Sequence, residues 1–385
     1  MSLSRRTVAF GMVGVAGLLG WRYRVFQVGS FIAAAATRKF LHHDAAPDFK
    51  VLAPEWQTLG QSRECPPSQS RGVITYHPWY HKFNPSIANR CLAEAAELGA
   101  GYIRLDIRWK DLLPDGRIFD EAAWNWYQSY LTVARDWYGL RPIIVLSNPP
   151  EKVLHDSVEL RLEGWRTYID HVAGRLGEAC SLYQVLNEPN NPVFKIFPTS
   201  ATSTAIASAA RLIRQHNPEA RTVINILVDL PGWRSDLDKL LARCGTAIDI
   251  VGLDYYPGTW TVSSDSVLSG WNRLADEIDA TRTKEKSLLR HCPIAILETG
   301  YSTNIHGWRG DAQQEEYFQD LEHALRRWDD RMGQDGLLFV GIHELTDSDT
   351  SAWLDPEAHF GLLTSETLDR KVGFSMVRNI FNEFQ

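Results

Sequence analysis

The 385-residue chain has little cysteine. Its five, Cys65, Cys91, Cys180, Cys244 and Cys292, are odd in number and form no CxxC pair. That excludes a disulfide framework and a structural zinc site. Cys244 and Cys292 each precede a candidate strand, so their positions allow one bridge; buried free thiols are the plainer reading. An excess of one charge is also missing. The formal net charge is −7, with 23% charged residues and no long single-sign run, so no nucleic-acid partner is indicated. There is no P-loop, no dinucleotide fingerprint and no zinc-finger spacing, and no cofactor is implied. What is present is 44% hydrophobic residues in a chain long enough for a large core.

A spanning hydrophobic run is lacking too. The longest uncharged stretch near the N-terminus, Thr7 to Trp21, is 15 residues, short of the ~20 that cross a bilayer. It follows Arg5 and Arg6, as the apolar core of an export signal does. The arginine pair after Ser4 resembles a twin-arginine signal, although Val8 and Ala9 replace its usual bulky residues. Residues 1–44 are therefore expected to be an export signal or an N-terminal membrane anchor. Any membrane contact is expected through this segment alone. An internal amphipathic helix is the alternative. Residues 45–70, ending in "CPPSQS", read as a linker. The expected location is exported, periplasmic or extracellular, with or without a tether.

From residue 71 short apolar runs alternate with helical stretches. The runs are 72–76, 102–107, 142–146, 182–187, 222–227, 248–254, 293–298 and 336–344. They are rich in Ile, Val and Leu with little strict alternation, which suits parallel strands covered on both faces. Between them, apolar residues recur at spacings of three and four. Ile87, Cys91, Ala95 and Leu98 do so before Gly99; Tyr168, Ile169, Val172 and Leu176 before Gly177; Leu237, Leu240, Leu241 and Cys244 before Gly245. Eight such units predict one (β/α)8 TIM barrel over residues 71–385. An open doubly wound sheet is the alternative, but its Gly-rich first turn is absent from "TYHPWYHKFNP".

In such a barrel, chemistry sits at the C-terminal ends of the strands. Those ends carry His77 and Trp79, Asp106 to Trp109, Asn148, Asn187 and Glu188, Asp254 to Tyr256, Glu298, and His343 with Glu344. Glu188 and Glu298 stand out. Each is the single Glu at the tip of an apolar strand, where a carboxylate is costly to bury without a purpose. Paired carboxylates on one rim are what glycoside hydrolysis needs: one protonates the leaving oxygen, the other attacks the anomeric carbon or activates water. Taken singly, either could be a helix-capping carboxylate.

With Asn187-Glu188-Pro189 at the fourth tip and Glu298-Thr299-Gly300 at the seventh, the chain resembles clan A of the retaining glycoside hydrolases. These barrel enzymes include the cellulase-like family 5 and the xylosidase-like family 39. The resemblance implies that Glu188 is the acid/base, that Asn187 holds the sugar 2-hydroxyl, and that Glu298 is the nucleophile. Arg104, in "YIRLDIRW", matches the clan's strand-2 arginine. Tyr256, with Tyr255 second, matches the tyrosine that hydrogen-bonds the nucleophile. It implies a carbohydrate substrate with a β-type linkage, and no metal or cofactor. One position departs: many members end strand 8 with Trp, whereas this chain has His343. Either His343 substitutes, or Trp353 folds in from the following loop.

Five tryptophans follow strands: Trp79, Trp109, Trp260, Trp308 and Trp353. Flat aromatic faces suit the C–H faces of sugars, and loop-packing anchors are the alternative role. His77 is expected as a sugar contact or a packed polar residue; with His81 it also raises a metallohydrolase reading, for which the strand tips supply few further histidines. Two other readings stay open beside hydrolysis. One is a transglycosylase using the same residues; the other is an idle barrel that binds polysaccharide.

Overall fold

The computed structural model describes residues 47–59, 65–259, 266–284, 287–304, 310–332, 336–348 and 355–385. Eight parallel strands pair in chain order and close into a barrel, β8 meeting β1. They are β1 Gly72–Thr75, β2 Tyr102–Asp106, β3 Arg141–Leu146, β4 Leu182–Val185, β5 Arg221–Leu227, β6 Ile250–Asp254, β7 Ile294–Glu298 and β8 Val340–Ile342. Each lies within or against one of the eight apolar runs. Helices cover the outside, so both faces of every strand are buried and the runs need no polar alternation.

The helix stops fall where the glycines predict them. Helix Pro85–Glu97 is N-capped by Asn84 and is followed by Gly99 at φ 82°. Helices Val158–Leu176 and Trp233–Cys244 end at Gly177 and Gly245, both with positive φ.

Inside the barrel, inward side chains form tiers. An apolar floor contains Val73, Tyr102, Ile143, Leu182, Val223, Ile250, Ala295, Leu297 and Phe339. One inward step along the same strands come Arg104, Gln184 and Asn225, and a further step along β6 comes Asp254; the tiers above the floor are thus polar, and all four residues are buried. These polar residues form the base of the site.

The stretch expected as a linker is partly docked. Helix Phe49–Glu55 and Trp56 pack against helix Glu121–Tyr138, with Phe49 and Trp56 only 5% and 4% exposed. The Trp56 ring meets Trp126 edge-on at 5.6 Å and Tyr130 at 6.0 Å. Residues 65–70 run along the barrel base, Ser70 Oγ donating to Phe381 O at 3.2 Å. Composition around Pro66 and Pro67 signalled a loop but not the two aromatic anchors before it. Residues 1–44, read as signal or anchor, lie outside the described residues. Among the described residues no helix is long and apolar enough to cross a membrane. All five cysteines are free thiols, so Cys244 and Cys292 are not bridged.

Candidate active site

Two local irregularities aim the carboxylates. Along β7, Ala295 and Leu297 point inward, so regular alternation would turn Glu298 outward. The β6–β7 register shifts at this point: Leu253 pairs with Ile296, but Asp254 pairs with Glu298. The extra residue is a bulge, and it swings Glu298 into the mouth. At the end of β4, Leu186 and Glu188 take positive φ, 67° and 40°. This left-handed backbone is uncommon for such residues, and it turns the tip so that Asn187 and Glu188 both face the cleft. The Glu188 amide is fixed by Asn225 Oδ1 at 2.8 Å.

Glu298 is held by two donors. Arg104 Nη2 is 2.6 Å from Oε1, and Tyr256 Oη donates to Oε2 at 2.6 Å. His343 Nδ1 lies 3.9 Å from Oε2. Burial pushes the Glu298 pKa up, but the charges of Arg104 and His343 and the bonds from Tyr256 and Arg104 outweigh it, so the carboxyl titrates below its ordinary value. Glu188 is the reverse. Burial first, then the negative charge of Glu298, lift it to about 8, against a bond from Asn191 Nδ2 to Oε2 at 2.6 Å and a hydrogen bond with the Asp254 carboxyl. The two sit in one cleft: Glu188, Glu298 and Asp254 each place a carboxylate oxygen within 4.8 Å of the others.

Arg104 is itself immobilised. Its Nε donates to Gln184 Oε1 at 2.8 Å, Nη1 to Thr75 Oγ1 at 3.2 Å and Nη2 to Asn187 Oδ1 at 3.1 Å. Asn187 Oδ1 also accepts from Gln184 Nε2 at 3.0 Å and Asn225 Nδ2 at 2.8 Å. With that oxygen saturated, its amide nitrogen is left as the group to offer a ligand.

The remaining candidates separate. His77 is in the cleft, its Nδ1 3.6 Å from Asp106 Oδ2 and its Nε2 3.5 Å from Glu344 Oε2. Trp79 tilts against His77 with ring centroids 4.3 Å apart, and Arg108 lies over the Trp79 ring at 4.7 Å. His343 packs edge-on against Tyr256 and Phe360. Asn148 reaches the site through Asp106, donating from Nδ2 to Oδ1 at 2.9 Å. Tyr255 does not join them: its ring packs on Trp271 at 5.0 Å, in the helix layer. Adjacent strand residues face opposite ways, so only one of the two tyrosines can meet Glu298. Trp109 is likewise a core anchor, stacked on Tyr168 at 5.5 Å and fully buried. Trp260, Trp308 and Trp353 lie outside the described residues.

Sequence reading did not find Gln184, Asn191, Asn225 or Glu357; it placed Asp106, Asp254 and Glu344 at strand ends but gave them no role. The signal available was a polar residue two places before an inward strand tip: Gln184 and Asn225 interrupt otherwise apolar runs. His77, His343 and Glu344 bring one donor atom each within 4.8 Å of one another, a spacing and mixture that could hold a cation or a polar ligand. Around Glu298 the cation present is the Arg104 guanidinium.

No protein-family model and no curated protein matches the chain. Solved structures do. A family 5 enzyme (GH5_18) from Streptomyces cattleya, in complex with GlcNAc, aligns at TM-score 0.65 with 15% identity, over 81% of this chain and 79% of that one. An exo-β-1,4-mannosidase from Opitutaceae bacterium strain TAV5 aligns at 0.63 with 16% identity, over 82% and 59%. A family 39 glycoside hydrolase from Bacteroides cellulosilyticus WH2 aligns at 0.57 with 16% identity, over 82% and 63%. All three share this barrel. The chain thus spans under two thirds of the mannosidase and of the family 39 enzyme, and likeness at this identity is a likeness of fold.

Proposed function

We propose that the protein is a retaining glycoside hydrolase acting on an oligosaccharide or polysaccharide through a covalent glycosyl-enzyme. One observation carries the reading: two buried carboxyls in one cleft, oxygens within 4.8 Å, one held ionised and the other held protonated. Retaining pairs sit about 5–5.5 Å apart, whereas inverting pairs leave ~6.5–9.5 Å for a water between them.

Glu298, ionised and aimed by Arg104 and Tyr256, attacks the anomeric carbon. Glu188 gives its proton to the departing glycosidic oxygen, so the bond from the anomeric carbon to that oxygen breaks as the bond to Glu298 forms. Glu188, now ionised, takes a proton from water; the hydroxide oxygen bonds to the anomeric carbon and the ester to Glu298 breaks. Asn187 offers its amide nitrogen to the sugar 2-hydroxyl. His77, His343, Glu344 and the Asn148–Asp106 pair supply a polar wall for further hydroxyls, and Trp79 a flat apolar one. The barrel likeness to a β-glycosidase and to an exo-β-1,4-mannosidase supports a β-linkage. An exported or tethered location follows from the Arg5-Arg6 segment. A sugar in place of water would make the same residues a transglycosylase.

The test is a panel of β-linked polysaccharides and aryl β-glycosides with product sizes resolved, followed by trapping with a 2-deoxy-2-fluoro glycoside. A covalent adduct mapped to Glu298 is expected. An adduct elsewhere, or none together with inverted product, overturns the mechanism.

A further inference from the structure

Beside the two glutamates the site buries a third carboxyl for which the two-carboxylate mechanism has no use. Asp254 ends β6 with 0% exposure. Its Oδ2 accepts from Asn225 Nδ2 at 2.5 Å. Its Oδ1 is buried and accepts from no nitrogen or hydroxyl donor among the described residues; the further hydrogen bond this carboxyl makes is with the Glu188 carboxyl. A bare carboxylate oxygen in that position is costly. The donors nearby are committed: Arg104 and Tyr256 to Glu298, Asn225 to Oδ2. What lies within 4.8 Å of Asp254 is two more carboxyls, Glu188 and Glu298.

We propose that Asp254 is a neutral carboxylic acid in the working site and that its O–H hydrogen-bonds Glu188, making it a positioning residue for the acid/base. This rests on the glycosidase reading for its consequence, though not for its chemistry. Three carboxylates this close cannot all ionise against one guanidinium. Arg104 from β2 is spent on Glu298, and the other groups facing the cluster do not relieve it. Asp106 on β2, Glu344 beyond β8 and Glu357 are acids; Tyr256 donates to Glu298; His343 faces Glu298 and Glu344. Burial, then the charges of Glu298 and Glu188, push the Asp254 carboxyl well above its ordinary range. When Glu188 gives up its proton to the leaving oxygen, the Asp254 O–H remains as a donor to the new carboxylate. The base form is then held in place for the second step, and Asp254 keeps its proton throughout the cycle.

The experiment is infrared difference spectroscopy on the full chain, with a pH profile of kcat/KM. At neutral pH a protonated-carboxyl C=O band additional to that of Glu188 should be present in the wild type and lost in Asp254→Asn. Asp254→Asn keeps a donor and adds no charge, so its alkaline limb should stay within about half a pH unit of wild type, with a loss of less than about tenfold. Asp254→Ala, with no donor, should lose about 10–100-fold, mostly in the deglycosylation step. If Asp254→Asn does not fold, Glu188→Gln serves: it should shift the Asp254 band and leave those of other buried acids in place. No band assignable to Asp254, or an alkaline limb that drops by about a unit or more in Asp254→Asn, means an ionised Asp254 and overturns the proposal. The band is read without substrate, so an inactive protein would sink the glycosidase reading and leave this one measurable.

Discussion

Arg104 Nη2 and Glu298 Oε1 are 2.6 Å apart, both almost wholly buried. The pair is a device for keeping a carboxylate charged where burial alone would neutralise it. Tyr256 adds a second bond at 2.6 Å. Removing the phenol in Tyr256→Phe deletes one charge-assisted hydrogen bond, about 1.5–3 kcal/mol, so kcat/KM should fall about 10–100-fold. Arg104→Met breaks a buried ion pair, about 3–5 kcal/mol, and should cost about 10²–10⁴-fold. Both variants should also move the acid limb of the kcat/KM profile upward, since each removes a group that lowers the Glu298 pKa. A fall in rate with an unmoved acid limb would mean that these residues do not act on Glu298.

The wild-type profile follows from the same two shifts. Activity needs Glu298 ionised and Glu188 protonated. The plateau should begin below the ordinary carboxylate range and end near pH 8, the titration of Glu188. Stability carries a separate signature. Glu188 titrates near 4.5 when unfolded and near 8 when folded. Between those values the folded state binds more protons, so this group's contribution falls as pH rises through the window and is fully unfavourable above it. Glu188→Gln, which cannot ionise, should therefore raise Tm relative to wild type, little near pH 4.5 and most above pH 8. A Tm difference that shrinks with rising pH would contradict the burial of a protonated Glu188.

How much of this was legible in the sequence depends on the kind of interaction. The barrel was, because eight apolar runs and the glycine stops at Gly99, Gly177 and Gly245 are local signals. Glu188 and Glu298 were, because each ends a strand. The ranking of Tyr256 ahead of Tyr255 came from the family resemblance, and the chain's facing at the β6 tip is its physical reason. The bulge that aims Glu298 and the positive φ at Leu186 and Glu188 leave no local mark, since they arise from register between strands. Asp254 was visible as a strand end, but its closeness to Glu188 is a property of barrel closure that brings β4 and β6 to one mouth. The docking of Phe49 and Trp56 was hidden for a similar reason: their partners, Trp126 and Tyr130, lie some seventy residues away in the chain.

That docking sharpens a truncation experiment. Deleting residues 1–44 should leave a folded, soluble and active barrel, because all eight strands of the closed barrel lie within residues 72–342. Deleting residues 1–64 removes Phe49 and Trp56 as well and uncovers Trp126, Tyr127 and Tyr130 on helix Glu121–Tyr138. Losing two buried aromatic anchors costs several kcal/mol, about 3–5 for each. The shorter protein should melt well below the longer one or aggregate. Equal melting temperatures for the two would show that the docked segment is dispensable, and an unfolded 45–385 protein would put residues 1–44 in the core.

The two glutamates should part in their kinetics. Glu298→Ala removes the nucleophile, so no glycosyl-enzyme forms, and both activated aryl glycosides and natural sugars should fail. Glu188→Ala removes the proton donor, which an activated aryl leaving group hardly needs. Its first step should survive with such substrates, while natural sugars with poor leaving groups lose several orders of magnitude. The second step then lacks its base, so the covalent intermediate should accumulate and give a burst followed by slow turnover. Azide needs no deprotonation to attack. It should enter the space left by the Glu188 carboxyl, restore turnover and yield a glycosyl azide of retained configuration. Glu298→Ala with azide should instead give the opposite anomer, because the anion then attacks from the nucleophile's side in a single displacement. The product anomer, read by NMR, therefore assigns each carboxyl to its face of the sugar. A β-azide from Glu298→Ala and an α-azide from Glu188→Ala, on a β-glycoside, would exchange the roles while leaving the pair intact.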